Sequence, residues 1–285
     1  MTTSDMSSKS RKSILFCYAH PDDEIGDVAL ANRYMREEGA HTTLICTTNG
    51  DVGTVDAEHL RGYASISELR LAEFSCATQA AGFDEVVTFG YRDSGMMGSA
   101  DNENPNCSWQ IPLETLTQQV AEVMRRVRPQ VVITFNTFGA YGHPDHIKIN
   151  QATVAAFQQL QAEPEHPQKL YYASGPDRLL RIGIMVMRLR GKDPRKGGRN
   201  HDMDYVAAVE ATTPVTTKVR VTKYLDPMWK ALNCYASQIQ IPPAVRRFRR
   251  LLGPMVQGTT SLSRVYPEWR PGERIERDIF EGVTF

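Results

Sequence analysis

The sequence has no Cys-x-x-Cys pair, no apolar run of membrane-spanning length, no excess of either charge and no Gly-x-Gly-x-x-Gly pattern. Each absence excludes something. Cys17, Cys46, Cys76, Cys107 and Cys234 are scattered, odd in number and mostly set among apolar residues. That predicts reduced thiols in a cytoplasmic protein, with no metal knuckle or redox pair. A spanning helix needs about 18 or more consecutive apolar residues, so none is expected. Lys plus Arg and Asp plus Glu both number 33, and this balance gives no global sign of a nucleic-acid partner. One local basic cluster, Arg246, Arg247, Arg249 and Arg250, reads as a solvated helix face. Gly50, Gly53 and the glycines between 90 and 98 form no dinucleotide fingerprint. Internal repeats and low-complexity stretches are also missing.

What is there is chain enough for a sizeable core, at 285 residues, with no composition break that forces a second domain. Residues 1–12 are polar and read as a disordered tail rather than a signal peptide. Residues 13–285 read as one α/β domain, irregular toward its C-terminal end, with 179–200 as a lid or mobile insertion. Ser13 to Tyr18 is a buried strand by its apolar run. Ile25 to Met35 has helical spacing, with Gly39 where a C-cap glycine belongs. His41 to Thr47 is β-branched and reads as a second strand. Ser67 to Ala81 is a helix, Glu85 to Phe89 a strand, and Gly90 to Cys107 a long loop of the kind that carries function. Leu113 to Val127 is an amphipathic helix, Gln130 to Phe135 a strand, and Ile147 to Leu160 a helix. Lys169 to Ala173 reads as a strand, Val215 to Tyr224 as an edge strand, and Asp226-Pro227 as N-cap and N1 of a helix through Ser237.

Apolar strands alternating with helices predict a Rossmann-like, mostly parallel sheet covered by helices on both faces. Ligands of such sheets sit beyond the carboxyl ends of the strands. Two polar clusters fall there in sequence order, His20-Pro21-Asp22-Asp23-Glu24 after the first strand and Tyr141-Gly142-His143-Pro144-Asp145-His146 after the fourth. Adjacent carboxylates beside a histidine suit a metal with its own base. His20 and Asp23 can turn to one point, while Asp22 points away. Catalytic zinc takes three protein ligands and keeps one position open, so a third ligand is needed, and the second cluster can provide it. His41, His59, His166 and His201 lack partners at ligand spacing and read as structural or surface residues. Glu24 reads equally well as a group supporting the metal shell or as a first-turn helix charge.

Ala19-His20-Pro21-Asp22-Asp23-Glu24 and His143-Pro144-Asp145-His146 resemble the paired signatures of the zinc-dependent LmbE-like (PIG-L type) de-N-acetylases. The resemblance runs from about Ser13 to Phe157. It implies zinc bound by His20, Asp23 and His146, with Asp22 as general base. It further implies that His143 assists the oxyanion or protonates the amine, that Tyr141 polarises the amide, and that Asp145 tunes the neighbouring histidine. Arg92-Asp93-Ser94-Gly95-Met96 is similar to a loop of the mycothiol-pathway branch, and the resemblance implies substrate contacts by Arg70, in Arg70-x-x-Glu73, and by Asp93. The activity implied is removal of acetyl from an N-acetylglucosamine-type small molecule, with amide cleavage of thiol S-conjugates or non-catalytic sugar binding as the alternatives. His-Asp-His donors also accept Fe²⁺, Co²⁺ or Mn²⁺. A homo-oligomer is compatible with the sequence, and nothing in it specifies one.

Overall fold

The structure, a computed structural model, describes residues 11–174, 177–198 and 200–285. Of the expected tail, only Arg11 and Lys12 lie among the described residues. In chain order the elements are β1 (Ser13–Tyr18), α1 (Val28–Glu38), β2 (His41–Thr48), α2 (Ile66–Ala81), β3 (Glu85–Tyr91) and α3 (Leu113–Val127). Then follow β4 (Val131–Thr134), the short α4 (Gly139–Gly142), α5 (Pro144–Leu160), β5 (Lys169–Ser174), α6 (Asp177–Leu189) and α7 (Tyr205–Glu210). The chain closes with β6 (Thr217–Arg220), α8 (Leu225–Leu232), α9 (Pro243–Val256) and β7 (Thr259–Tyr266).

Seven strands form one sheet in the order β3-β2-β1-β4-β5-β7-β6. The first five are parallel, with Ser13 opposite His41 and Ile14 opposite Val131. β7 runs antiparallel between β5 and β6, so the C-terminal elements complete the same sheet. The expected parallel α/β sheet is therefore present, with an antiparallel edge. β1 is buried at all six positions, as a central strand covered on both faces should be. β3 alternates half-buried and exposed residues because it lies at the sheet edge, unlike the uniformly apolar strands expected.

Strand order reverses at β1. The chain steps outward from β1 to β3, then returns to β4 on the other side. Right-handed crossovers place α1 and α2 on one face and α3 and α5 on the other. α8, from the second half, packs on the α1–α2 face. Phe16, Leu30, Tyr34, Leu116, Phe157 and Tyr171 are among the fully buried side chains between these layers. The reversal opens a crevice at the carboxyl ends of β1 and β4, where such folds bind ligands.

Local signals set most boundaries. Gly39 caps α1 at φ +64°, its N–H bonding the Met35 carbonyl. Ser65 caps α2 by accepting from the Glu68 N–H, while the Glu68 carboxylate accepts from the Ala64 N–H. The helix expected from Asp226 to Ser237 differs. It begins at Leu225, holds Asp226 and Pro227 in its first turn, and ends at Leu232. A 3-10 turn at Thr222–Tyr224 runs straight into it, so Asp226 has no free N–H to cap. Beyond Leu232 the chain leaves the helix so that Tyr235 and Ser237 turn inward, where buried carboxylates accept their hydroxyls. The cysteines differ as well: Cys76 of α2 and Cys234 after α8 form a disulfide. Their separation of 158 residues hid the pair from any spacing rule, and packing of α8 on α2 brings them together. Cys17, Cys46 and Cys107 are free and buried.

Candidate metal centre and active site

The crevice gathers donors from three turns. After β1, His20 and Asp23 face inward and Asp22 stands between them at φ +106°. This left-handed residue reverses the chain, so the consecutive carboxylates point to different places. The Asp23 carboxylate is fixed by the backbone N–H of His20, which donates to Oδ2 at 2.7 Å. After β4, residues 139–143 turn tightly and His143 caps α5, its Nδ1 accepting the Asp145 N–H at 3.2 Å, with Pro144 at N1. That places His146 one turn into the helix, facing back over the sheet. Glycine at 139 is required there: at φ +64° a Cβ would meet the His146 Cβ at 2.7 Å. The third turn, after β3, brings Asp93 and Ser94.

Three residues bring donor atoms into one compact triangle, Asp23 through both of its carboxylate oxygens. His20 Nδ1 is 2.9 Å from His146 Nε2 and 3.4 Å from Asp23 Oδ2, and His146 Nε2 is 3.3 Å from Asp23 Oδ1. Ligands held about 2.0–2.1 Å from a tetrahedral zinc stand about 3.3–3.4 Å apart; both separations to Asp23 match, and the two histidine nitrogens stand closer together. The outer ring nitrogens have partners of their own. His146 Nδ1 is 3.2 Å from the Gly139 carbonyl, and His20 Nε2 is 3.3 Å from Asp145 Oδ2. These acceptors place protons on the outer nitrogens and leave His20 Nδ1 and His146 Nε2 as lone-pair donors, the usual arrangement around a metal. Phe135 stacks on His146 with centroids 3.9 Å apart and locks its plane. Asp93 and His143 extend the cluster, with Asp93 Oδ1 3.5 Å from His20 Nε2 and 3.8 Å from His143 Nε2.

Asp22 sits outside the triangle with a quarter of its side chain exposed. Its N–H donates to Glu24 Oε2 at 3.1 Å, and its Oδ2 accepts from Arg70 Nη2 at 3.3 Å. Burial pushes its carboxyl up to about 7, against the pull of Arg70. Glu24 is buried and pushed up to about 8 by desolvation, with Tyr235 donating to its Oε1 at 2.7 Å. Glu24 thus supports Asp22 from behind, and it also lies in the first turn of the 3-10 helix at Asp23–Asp27. Arg70 is only 4 % exposed and also donates to the Pro21 carbonyl. Gly50 and Gly53 cradle it: a Cβ at Gly53 would lie 2.6 Å from Nη1, and one at Gly50, at φ +63°, 3.0 Å from Cζ.

His143 sits in the crevice as a neutral imidazole. Burial, then the neighbouring His20 and His146, hold it well below the ordinary imidazole range. Its position at a helix N-terminus acts in the same sense. With Nδ1 accepting the Asp145 N–H, the neutral ring carries its proton on Nε2 and remains a donor into the crevice. Burial raises the Tyr141 phenol above its ordinary value, so it also stays a proton donor, with its ring 5.0 Å from that of His146. Asp145 is fully buried and accepts from the Ser94 N–H at 2.9 Å and from the Ser94 hydroxyl; the histidine ring its carboxylate faces is His20, across the crevice. Sequence reasoning missed Ser94, Tyr235 and Ser237, of which Ser237 binds Glu73 beside Arg70. Only Ser94, inside the Arg92 to Met96 stretch, carried a readable signal. Beyond Tyr141 opens a largely apolar cavity of about 380 Å³, lined in part by Ala140, Ala173, Leu180 and Met203.

Buried imidazoles and carboxylates at the switch point of a mostly parallel α/β sheet form a cluster that could hold a metal ion, in the place where enzymes of this fold class carry their chemistry. The chain belongs to the PIG-L family, GlcNAc-PI de-N-acetylase, whose model matches residues 15–157. It is 32 % identical over 285 residues to a 1D-myo-inositol 2-acetamido-2-deoxy-α-D-glucopyranoside deacetylase of Acidothermus cellulolyticus, covering 95 % of each chain. A Thermomonospora curvata protein of the same name is 35 % identical over 82 % of this chain and 83 % of its own. Among solved structures, an N,N'-diacetylchitobiose deacetylase from Pyrococcus horikoshii superposes with a TM-score of 0.57 at 16 % identity, covering 96 % of this chain and 87 % of its own. A 4-carboxy-2-hydroxymuconate hydratase from Pseudomonas putida matches with a TM-score of 0.55 at 19 % identity, covering 92 % of this chain and 99 % of its own. At such identities the likeness shows the fold, and that fold carries more than one chemistry.

Proposed function

We propose that the protein hydrolyses the acetamide of an N-acetylglucosaminide with a small polar aglycone, the inositol glycoside its relatives are named for. The observation that carries this is the triangle of His20 Nδ1, Asp23 and His146 Nε2 with Asp22 beside it. His20, Asp23 and His146 would hold a zinc ion, and the same donors accept Fe²⁺, Co²⁺ or Mn²⁺. When bound, the metal supplies an acidified water near pKa ~7 and a Lewis acid for the acetamide carbonyl.

The chain's own residues handle the protons. Asp22 takes the proton of the attacking water; a carboxyl pushed up to about 7 by burial is well matched to that task at neutral pH. A bound cation lowers that value, and Arg70 holds Oδ2 in place meanwhile. His143 Nε2–H and the Tyr141 hydroxyl donate to the oxygen that gains charge as the carbonyl is attacked. Asp145, through His20 Nε2, fixes the ring that faces the metal position. The leaving amine takes its proton from Asp22 in its acid form or from His143. Asp93 lies in the cluster and its carboxyl is held low against burial by His20, so it serves the histidines as well as any substrate hydroxyl that reaches it. Arg70 acts through Asp22 and not by open contact with substrate.

No helix among the described residues is long and apolar enough to cross a membrane. A cytoplasmic setting belongs to this reading on the strength of the three free cysteines; the Cys76–Cys234 disulfide weighs against it. The test is acetate release from the N-acetylglucosaminyl-inositol glycoside, N-acetylglucosamine and a thiol S-conjugate, with metal content measured on the same sample. The expected result is release from the glycoside, abolished by chelation and restored by Zn²⁺. Cleavage of the S-conjugate alone overturns the substrate class, and full activity after chelation overturns the metal.

A further inference from the structure

Two helices at the site end of the sheet expose apolar side chains to water. On α6, Ile182, Met185 and Leu189 are 44, 55 and 79 % exposed. On α9, Val245, Phe248 and Leu251 are 43, 47 and 69 % exposed. In each helix the three residues fall within one face, three or four positions apart. Arg181, Arg188, Arg190 and Lys192 on and just after α6, and Arg246 and Arg247 on α9, are also exposed. None of these six has an ion-pair partner among the described residues. The sequence has no Asp or Glu from Arg178 to Lys192, nor from Pro227 to Pro267. In a chain with balanced charge, Asp177 at the first position of α6 is the one acid in either helix.

Topology puts both helices at one end. β5 runs toward the site and leads into α6; β7 is antiparallel to β5 and begins where α9 ends, with Ser174 opposite Ser261. Leu180 of α6 lines the cavity beyond Tyr141, and Gln257, just after α9, lines a groove that reaches Asp23. Each helix thus lies beside one of the two openings that reach the cluster.

We propose that α6 and α9 dock this end of the protein on an anionic lipid bilayer. Exposed aliphatic and aromatic residues interleaved with arginines are what an interfacial helix needs, because the apolar face enters the acyl boundary while guanidinium groups reach lipid phosphates. The charge pattern selects this occupant over a second copy of the chain, since an isologous pairing of this face sets arginine against arginine. It also selects a bilayer over nucleic acid, which gives Leu189, Met185 and Leu251 nothing to bury against. Docking here sets both openings of the site close to the membrane surface.

The test is co-sedimentation of the full chain with large vesicles of phosphatidylcholine, alone or with about one third phosphatidylglycerol. Binding to the anionic vesicles is expected to be at least about tenfold stronger, and to weaken as salt rises. A Leu189→Glu/Phe248→Glu variant and an Arg246→Glu/Arg247→Glu variant are each expected to lose about tenfold or more, with acetate release from a water-soluble substrate unchanged. Equal binding to both vesicle types, or none, overturns the proposal. So does a dimer in solution that Phe248→Glu dissociates, which would assign the face to a second copy. Because vesicle binding is read without turnover, its failure leaves the deacetylase reading untouched.

Discussion

Every donor of the cluster lies between His20 and His146, in roughly the first half of the chain, whereas Tyr235 and Ser237 in the second half reach the site only from behind, through Glu24 and Glu73. The first half brings its donors together by topology. Three turns at the carboxyl ends of parallel strands converge because the strands are neighbours, and each turn needs only local chemistry to aim its side chains. The second half adds no donor. It closes the sheet with β7 and β6, seats α8 on α1 and α2, and sends two hydroxyls into buried carboxylates. Chemistry is concentrated in one half, and the rigidity of that chemistry depends on the other.

This contrast can be broken in order of expected effect. His146→Ala removes a vertex of the triangle and should lose bound metal and reduce acetate release to background; full metal content in that variant would contradict the ligand assignment. Asp22→Asn keeps the turn and the Arg70 contact but removes the base. It should retain metal while turnover falls about 10²- to 10⁴-fold, and normal turnover would move the base elsewhere. The second half should show smaller losses of another kind. Tyr235→Phe removes the donor to Glu24 and is expected to cost about 1–3 kcal/mol in urea unfolding, with a fall of several-fold in kcat and little change in KM. An unchanged kcat would sever Tyr235 from Asp22. Replacing Cys76 and Cys234 together by Ala should lower stability by about 2–4 kcal/mol while leaving kcat within about threefold. A collapse of kcat without loss of stability would make the bridge part of the site.

The same division explains what could be read in advance. The two acidic-histidine turns, the capping glycine at 39, the amphipathic 113–127 helix and the parallel sheet were legible because each signal is complete within a few residues. The pairing of Cys76 with Cys234, the support of Glu24 by Tyr235 and the insertion of β7 between β5 and β6 were not. Those contacts join residues far apart in sequence, and no local pattern encodes the partner. Asp226-Pro227 is the instructive miss. Its cap chemistry was sound, yet a preceding 3-10 turn supplied the helix start two residues earlier, with Tyr224 in the cap position. His143 shows the limit for charge: its residue type allowed an imidazolium, while burial and two neighbouring imidazoles decide for the neutral ring.

The glycine cradle around Arg70 has a bearing on how variants of this protein should be judged. Residues 49–54 form a loop, and loops commonly tolerate substitution. Here a single methyl group at Gly53 would stand 2.6 Å from the Arg70 guanidinium, whose other donors hold Pro21 and Asp22. A Gly53→Ala allele would therefore leave the fold standing and disable the base through one displaced side chain. Screened by expression level or melting temperature it would pass as benign, and only a turnover assay would expose it.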